Sequence, residues 1–288
     1  MAYEAWYPRF FGLAALALAS ALWAAPAGAK PKVVSVDMCA DQLVLSLADP
    51  DQVLSLSPTA LRPAISPLSD RAQAWGVATN GRTAEEVVRE KPDVVFTGMW
   101  SGRSFKALSA LGYRVVWFPP ARNIDDAVAQ IRRAGTALDQ TARAEQVVAA
   151  VARARERARL AAPAVAPEAV LYLPGGFSFG RRTLFTDMLH AAGIRNLMED
   201  RPGDMVAVDL EHLVVARPDL ILANDQDADG APREATALMR HPALRRAAPG
   251  ARRVLFPSRL WMCAGEQTAM ALDYLTDHVL PALNEPGP

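Results

Sequence analysis

From Val33 onward, short runs of β-branched and apolar residues alternate with stretches whose apolar positions recur at helical spacing. "VVSVD", "VLSLS", "DVVFTG" and "RVVWF" read as strands, and "ADQLVLSLA", "TAEEVVREK", "FKALSALG" and "IDDAVAQIRRAGTAL" as the helices between them. Strands separated by helices of about 10 to 15 residues form βαβ units on a parallel sheet. After Val165 the alternation restarts with "AVLYLPGG", "LFTDMLHAAG", "VDLEHLVVA", "DLILAN", "ATALMRHPALRRA", "RRVLFP" and "EQTAMALDYLTDHVLPAL". Between the halves lies "TARAEQVVAAVARARERARLAA", rich in Ala, Arg and Glu, without Gly or Pro, and followed by Pro163. At 1.5 Å per residue it makes a helix of about 33 Å. The pattern predicts the α/β class: an N-terminal α/β lobe over 30–140, a connecting helix over 141–162, a C-terminal α/β lobe over 163–288, and a cleft between lobes whose swing the stiff rod limits.

The first residues describe an address rather than a fold. Arg9 precedes the apolar run "FFGLAALALASALWAA", and "AGA" at 27–29 offers a cleavage site before Lys30. This predicts a signal peptide cleaved after Ala29 and export to the periplasm, leaving about 259 residues. The apolar run is short for a membrane span, and no later segment reaches the roughly 18 uninterrupted apolar residues that one needs. No cysteine stands at the cleavage site to take a lipid. Thirty-one basic residues balance 31 acidic ones and no basic block occurs, which argues against nucleic acid as a partner. The only cysteines are Cys39 and Cys263. An exported chain can keep a disulfide, but the spacing does not show whether two Cα atoms meet within about 7 Å. A bridge, two free thiols and a thiolate metal ligand all stay open.

One stretch occurs twice. "EEVVREKPDVVFTG" (85–98) returns as "EHLVVARPDLILAN" (211–224), with a glutamate seven residues ahead of Pro-Asp in each. Thr83 with Glu86 has the form of a capping box, and Asp209 stands at the matching cap. Glu85 and Glu211 then fall in a first helical turn, where a carboxylate gains about 0.3 to 1 kcal/mol from the helix dipole. That accounts for either glutamate alone, and less well for the same spacing in both halves.

With these pieces in this order, the chain resembles the bacterial periplasmic binding proteins that deliver vitamin B12, ferric siderophores and heme to ABC importers. The resemblance covers essentially the whole mature chain. It rests on "VVSVDMCADQLVLSLADPDQVLSLS", "TAEEVVREKPDVVFTG", "LSALGYRVVWF", the central rod, "LEHLVVARPDLILAN" and "HPALRRAAPGARRVLFP". In that family one surface glutamate on each lobe docks into arginine pockets of the two permease subunits, and Glu85 and Glu211 match those positions. The resemblance implies a monomer with no intrinsic cofactor and no catalysis. Its partners are a small-molecule metal chelate and the permease dimer of an inner-membrane ABC importer.

Ligands of open parallel sheets bind beyond the carboxyl ends of the strands. In the first half those ends are followed by Met38, Cys39 and Asp41, then by Met99, Trp100 and Arg103, with Arg82 nearby. In the second they are followed by Gly175, Gly176, Phe177, Phe179, Arg181 and Arg182, then Asn224 and Asp225, then Arg259, Trp261 and Met262. Aromatic, sulfur and arginine side chains suit a large, flat or greasy ligand with some negative charge. Heme carriers of this type commonly offer a tyrosine or histidine, and neither stands at these ends. His190, His212, His241 and His278 lie in helical stretches. A ferric siderophore or a corrinoid is expected ahead of heme, with the arginines favouring the siderophore.

A rival of another class is a secreted serine hydrolase. "GFSFG" (176–180) fits a nucleophile elbow, with Ser178, Asp225 and His241 or His278 in a workable order. Against it, Gly180 and two arginines intervene before the next helix, and a hydrolase needs one continuous sheet where this chain repeats its pattern around a rod.

Overall fold

A computed structural model describes residues 29–99, 106–173, 175–223 and 248–283, together with positions 242 and 246. The apolar runs of the first half become β1 (Val33–Ser35), β2 (Val53–Leu56), β3 (Ala78–Thr79), β4 (Val94–Gly98) and β5 (Val115–Phe118). They form a parallel sheet of order β3-β2-β1-β4-β5. The inner strands β1 and β4 are buried throughout, which is why they read as unbroken apolar runs rather than as an alternation. The helices are α1 (Met38–Leu47), α2 (Ser69–Ala74), α3 (Ala84–Glu90), α4 (Lys106–Ala110) and α5 (Ile124–Ala137).

The rod is α6 (Thr141–Ala161). Its buried positions Ala144, Val151, Ala154 and Ala158 share one face and belong to a core that runs unbroken through both halves. Small residues let the neighbouring helix come close: a Cβ on Gly135 of α5 would overlap Ala144.

In the second half, β6 (Glu168–Tyr172), β8 (Arg195–Asn196), β10 (Leu220–Ala223) and β11 (Arg252–Leu255) form a parallel sheet of order β11-β10-β6-β8. An antiparallel pair, β7 (Phe177–Phe179) and β9 (Met205–Ala207), stands apart from it. The helices here are α7 (Leu184–Ala191), α8 (Leu210–Ala216), α9 (Ser258–Trp261) and α10 (Glu266–Tyr274). The last continues through a π-helical turn, Leu275–Val279, into Leu280–Ala282. The widened turn comes just before Pro281, which has no N–H to donate and whose ring crowds the carbonyl four residues back. No described helix is long and apolar enough to cross a membrane.

The structure accounts for the repeated Pro-Asp. The carboxylate of Asp93 accepts the backbone N–H of Lys32 at 2.7 Å, and that of Asp219 accepts the N–H of Glu168 at 2.8 Å. Each aspartate therefore ties the start of its own strand to the start of the central strand of its sheet. Both preceding helices end in a left-handed residue, Lys91 (φ 50°) and Arg217 (φ 49°), and Val87 and Leu213 are buried at matching places in them. The repeat is one helix–strand joint built twice.

Among the described residues, four links besides the rod join the halves. Cys39 and Cys263 form a disulfide with Cα atoms 5.0 Å apart. Arg71 of α2 donates to Glu266 of α10 at 2.7 and 3.3 Å, and the backbone N–H of Glu266 donates to Ser46 Oγ at 3.3 Å. The N–H of Ile124, opening α5, donates to Asp187 of α7 at 2.8 Å, so a side chain of the second half caps a helix of the first.

Candidate functional site

Two parallel sheets joined by a rod present their carboxyl ends to a groove between them. On the first lobe its floor begins where β1 gives way to α1. Asp37 caps that helix by accepting the Cys39 N–H at 3.0 Å. Gly98, at the end of β4, lies so close that a Cβ there would overlap the Asp37 carboxylate. Glycine is thus what allows the two strand ends to meet. On the second lobe α9 leads into Met262 and Cys263, and the disulfide brings this turn against the start of α1, with the Cys39 sulfur 3.9 Å from the Met262 carbonyl oxygen. Met99 is 54% exposed, Met262 45% and Phe177 43%, while Met38 is half-buried. Arg82 is exposed, held left-handed (φ 62°) by its N–H bond to Asn80.

Two expected groove residues, Asp41 and Trp261, are instead buried. Asp41 is fully buried under α1, where its carboxyl accepts the Ser57 hydroxyl at 2.5 Å and the Ser57 N–H at 3.2 Å; burial pushes it up to about 7. As the fourth residue of the helix it turns inward, away from the ligand. Trp261 is only 3% exposed, packed against Phe179, Phe185 and Phe256 at centroid distances of 5.4 to 6.4 Å, with its N–H donated to the Phe256 carbonyl. It is a core residue, and half-buried Phe179 belongs to the same cluster. Arg181 is exposed and paired with Asp200 at 2.9 Å, and Arg259 is half-buried in α9. Trp100, Arg103, Asn224, Asp225 and His241 lie outside the described residues.

The hydrolase reading fails on Ser178. It sits within β7 rather than on a strand-to-helix turn, and its hydroxyl is fully buried. No attacking oxygen faces solvent there. Among the histidines, His190 contacts Glu199 at 2.6 Å, His212 contacts Arg201 at 2.7 Å, and His278 lies against Tyr274. Among the described residues no group of three or more His, Cys, Asp or Glu could hold a metal ion.

Glu85 and Glu211 are both exposed in the first turns of α3 and α8, behind the caps read from sequence: Thr83 accepts the Glu86 N–H and Asp209 the His212 N–H. Each helix precedes and runs back against a strand of its sheet, so its N-terminus lies at the groove end of its lobe. The repeat could have revealed the tying role of Asp93 and Asp219, which the sequence reading passed over.

Two surface cavities lie away from the groove. One of about 460 Å³ sits between α5, α6 and α7, with Val128, Val151 and Arg155 in its wall; one of about 410 Å³ lies beside β5 and α5.

A family model for periplasmic binding proteins matches residues 18–253. The chain belongs to that family. Solved structures agree with this periplasmic binding protein over most of its length. The apo form of the periplasmic heme-binding protein RhuT from Roseiflexus sp. RS-1 is 22% identical, with 88% of this chain and 98% of that one covered and a TM-score of 0.70. A periplasmic heme-binding protein from Pseudomonas aeruginosa is 20% identical, covering 88% and 93%, with a TM-score of 0.66. The periplasmic vitamin B12 binding protein BtuF of Vibrio cholerae is 13% identical, covering 89% and 99%, with a TM-score of 0.65. At such identities the likeness is one of fold. No curated protein sequence matches the chain.

Proposed function

We propose that this periplasmic binding protein captures a metal chelate (a ferric siderophore, a corrinoid or heme) in the groove between its lobes and hands it to the permease dimer of an inner-membrane ABC importer. The observation that carries the reading is the matched pair Glu85 and Glu211. Both are exposed, both stand in the first turn of a helix built to the same plan, and both lie at the groove end of their lobes. Two anions so placed suit a two-fold symmetric partner that offers an arginine cluster to each, since charge-assisted hydrogen bonds to a carboxylate fix register as well as attraction. Exposed methionine and phenylalanine in the groove suit a large apolar ligand face. The structural neighbours named above bind heme and vitamin B12. The protein works as a monomer, and hydrolysis of ATP occurs on the importer.

Purification of the protein from the periplasm of its native host, followed by absorption spectroscopy and mass spectrometry of what accompanies it, tests the reading. A co-purifying metal chelate is expected. Recovery of a sugar, an amino acid or a peptide in its place would overturn it.

A further inference from the structure

The disulfide fastens one end of a strap. Residues 262–265 run from α9 into α10 and form neither helix nor strand. They are tied to α1 of the other lobe at two places. Cys263 is bonded to Cys39 in the first turn of that helix, and the N–H of Glu266 donates to Ser46 Oγ at 3.3 Å, about 10 Å further along it. Arg71 reinforces the second tie through its ion pair with Glu266 at 2.7 Å. The groove end of the strap is therefore held covalently and the far end by polar contacts. Between the two stands Gly265, whose φ of 143° is a conformation that other residues rarely adopt. The Gln267 amide donates to the Ala264 carbonyl at 2.9 Å, yet its Oε1, like Thr268 Oγ in the same turn of α10, is buried with no hydrogen-bond partner among the described residues. Such groups cost stability where they are and regain it once water reaches them. The two sulfurs differ in access: Cys39 is half-buried, whereas Cys263 is almost enclosed.

We propose that the Cys39–Cys263 bond is a thiol–disulfide exchange site for a periplasmic dithiol oxidoreductase, and that cutting it frees the groove end of the strap to swing about Gly265. A thiolate of the dithiol attacks the more open Cys39 sulfur, the S–S bond breaks, and Cys263 leaves as a thiolate and takes up a proton. The second thiol of the dithiol, as a thiolate, then attacks its own partner sulfur in the mixed disulfide, and Cys39 leaves and is protonated in turn. The two electrons that reduce the bond come from the dithiol, which ends as a disulfide. Without its covalent tie the strap shifts exposed Met262 at the groove and lets water reach Gln267. The Arg71–Glu266 and Ile124–Asp187 contacts persist, so the groove changes locally while neither lobe unfolds. This holds whatever ligand the groove takes.

The test reduces the native protein. Dithiothreitol, and separately thioredoxin kept reduced by its reductase and NADPH, should release both thiols without denaturant, counted by alkylation and intact mass, with the far-ultraviolet circular dichroism unchanged. In hydrogen–deuterium exchange read by mass spectrometry, the reduced protein should exchange about tenfold faster over 262–268 and at the amino end of α1, and stay within about twofold over β1, β4 and the last turn of α10. Cys39→Ser/Cys263→Ser should show the same pattern with no reductant present; if that variant fails to fold, the reduced wild-type protein carries the test. Thiols that appear only in denaturant overturn the exchange site. Release by dithiothreitol and not by thioredoxin overturns a protein dithiol as the reductant. Unchanged exchange over 262–268 overturns the swinging strap, and so does faster exchange spread over both lobes or a loss of circular dichroism on reduction, either of which would make the bond a structural staple.

Discussion

Asp41 shows how burial, rather than position along a strand, decides what a carboxyl does. Removal from water raises its pKa from 3.8 to about 7, against the opposing hydrogen bonds from Ser35 and Ser57. Between pH about 4 and about 7 the folded chain holds a proton that the unfolded chain has released, so this group favours folding less as pH rises through that window. Asp41→Asn, which keeps an acceptor for the Ser57 N–H and cannot ionise, should therefore raise the melting temperature relative to wild type more at pH 8 than at pH 5. A difference independent of pH would show that Asp41 stays ionised in the fold. Trp261 makes the same point with an aromatic ring. Its indole fills a cluster of three phenylalanines, so Trp261→Ala should cost roughly 3 to 5 kcal/mol in chemical denaturation. If the variant lost ligand affinity with unchanged stability, the ring would belong to the groove after all.

At the scale of elements, α3 and α8 are the informative pair. Their caps, lengths, left-handed ends and following strands match, and both present a glutamate that makes no described side-chain bond. The dipole contribution of a first-turn carboxylate is at most about 1 kcal/mol, so replacing these residues should barely touch the fold. Glu85→Ala/Glu211→Ala should leave ligand affinity within about twofold and reduce ATP-driven uptake by the reconstituted importer by about tenfold or more, the scale expected when charged hydrogen bonds at an interface are removed. Undiminished uptake would sink the docking assignment. Most of these elements were legible because helical spacing and buried runs are strong signals, as in α5, α6 and β4. The two-residue strands β3 and β8 were not, since pairing of so few residues is set by their neighbours. The β7–β9 pair was not legible either, because β9 begins at Met205, 26 residues after β7 ends at Phe179, with no local mark of pairing.

The whole molecule is held by more than its rod. Disulfide, Arg71–Glu266, Glu266–Ser46 and Ile124–Asp187 all cross between lobes, and one apolar core passes through both. The covalent link closes a loop of 224 residues and is expected to contribute about 2 to 4 kcal/mol by restricting the unfolded chain. Cys39→Ser/Cys263→Ser should lower stability by that amount in urea, while the radius of gyration from small-angle scattering stays unchanged because the other links persist. A swollen radius would mean that the bridge alone sets the spacing of the lobes.

What the sequence determined by itself is whatever depends on near neighbours along the chain: the α/β alternation, the rod without Gly or Pro, the helix caps, and the doubled joint with its glutamates. Periodicity and capping act within a few residues, so they can be read in a string. Tertiary structure alone decided the pairing of Cys39 with Cys263, the inward turn of Asp41, and the burial of Ser178 and Trp261. Each of these depends on which distant surface arrives opposite a side chain, and that is set by how the two sheets pack across the rod.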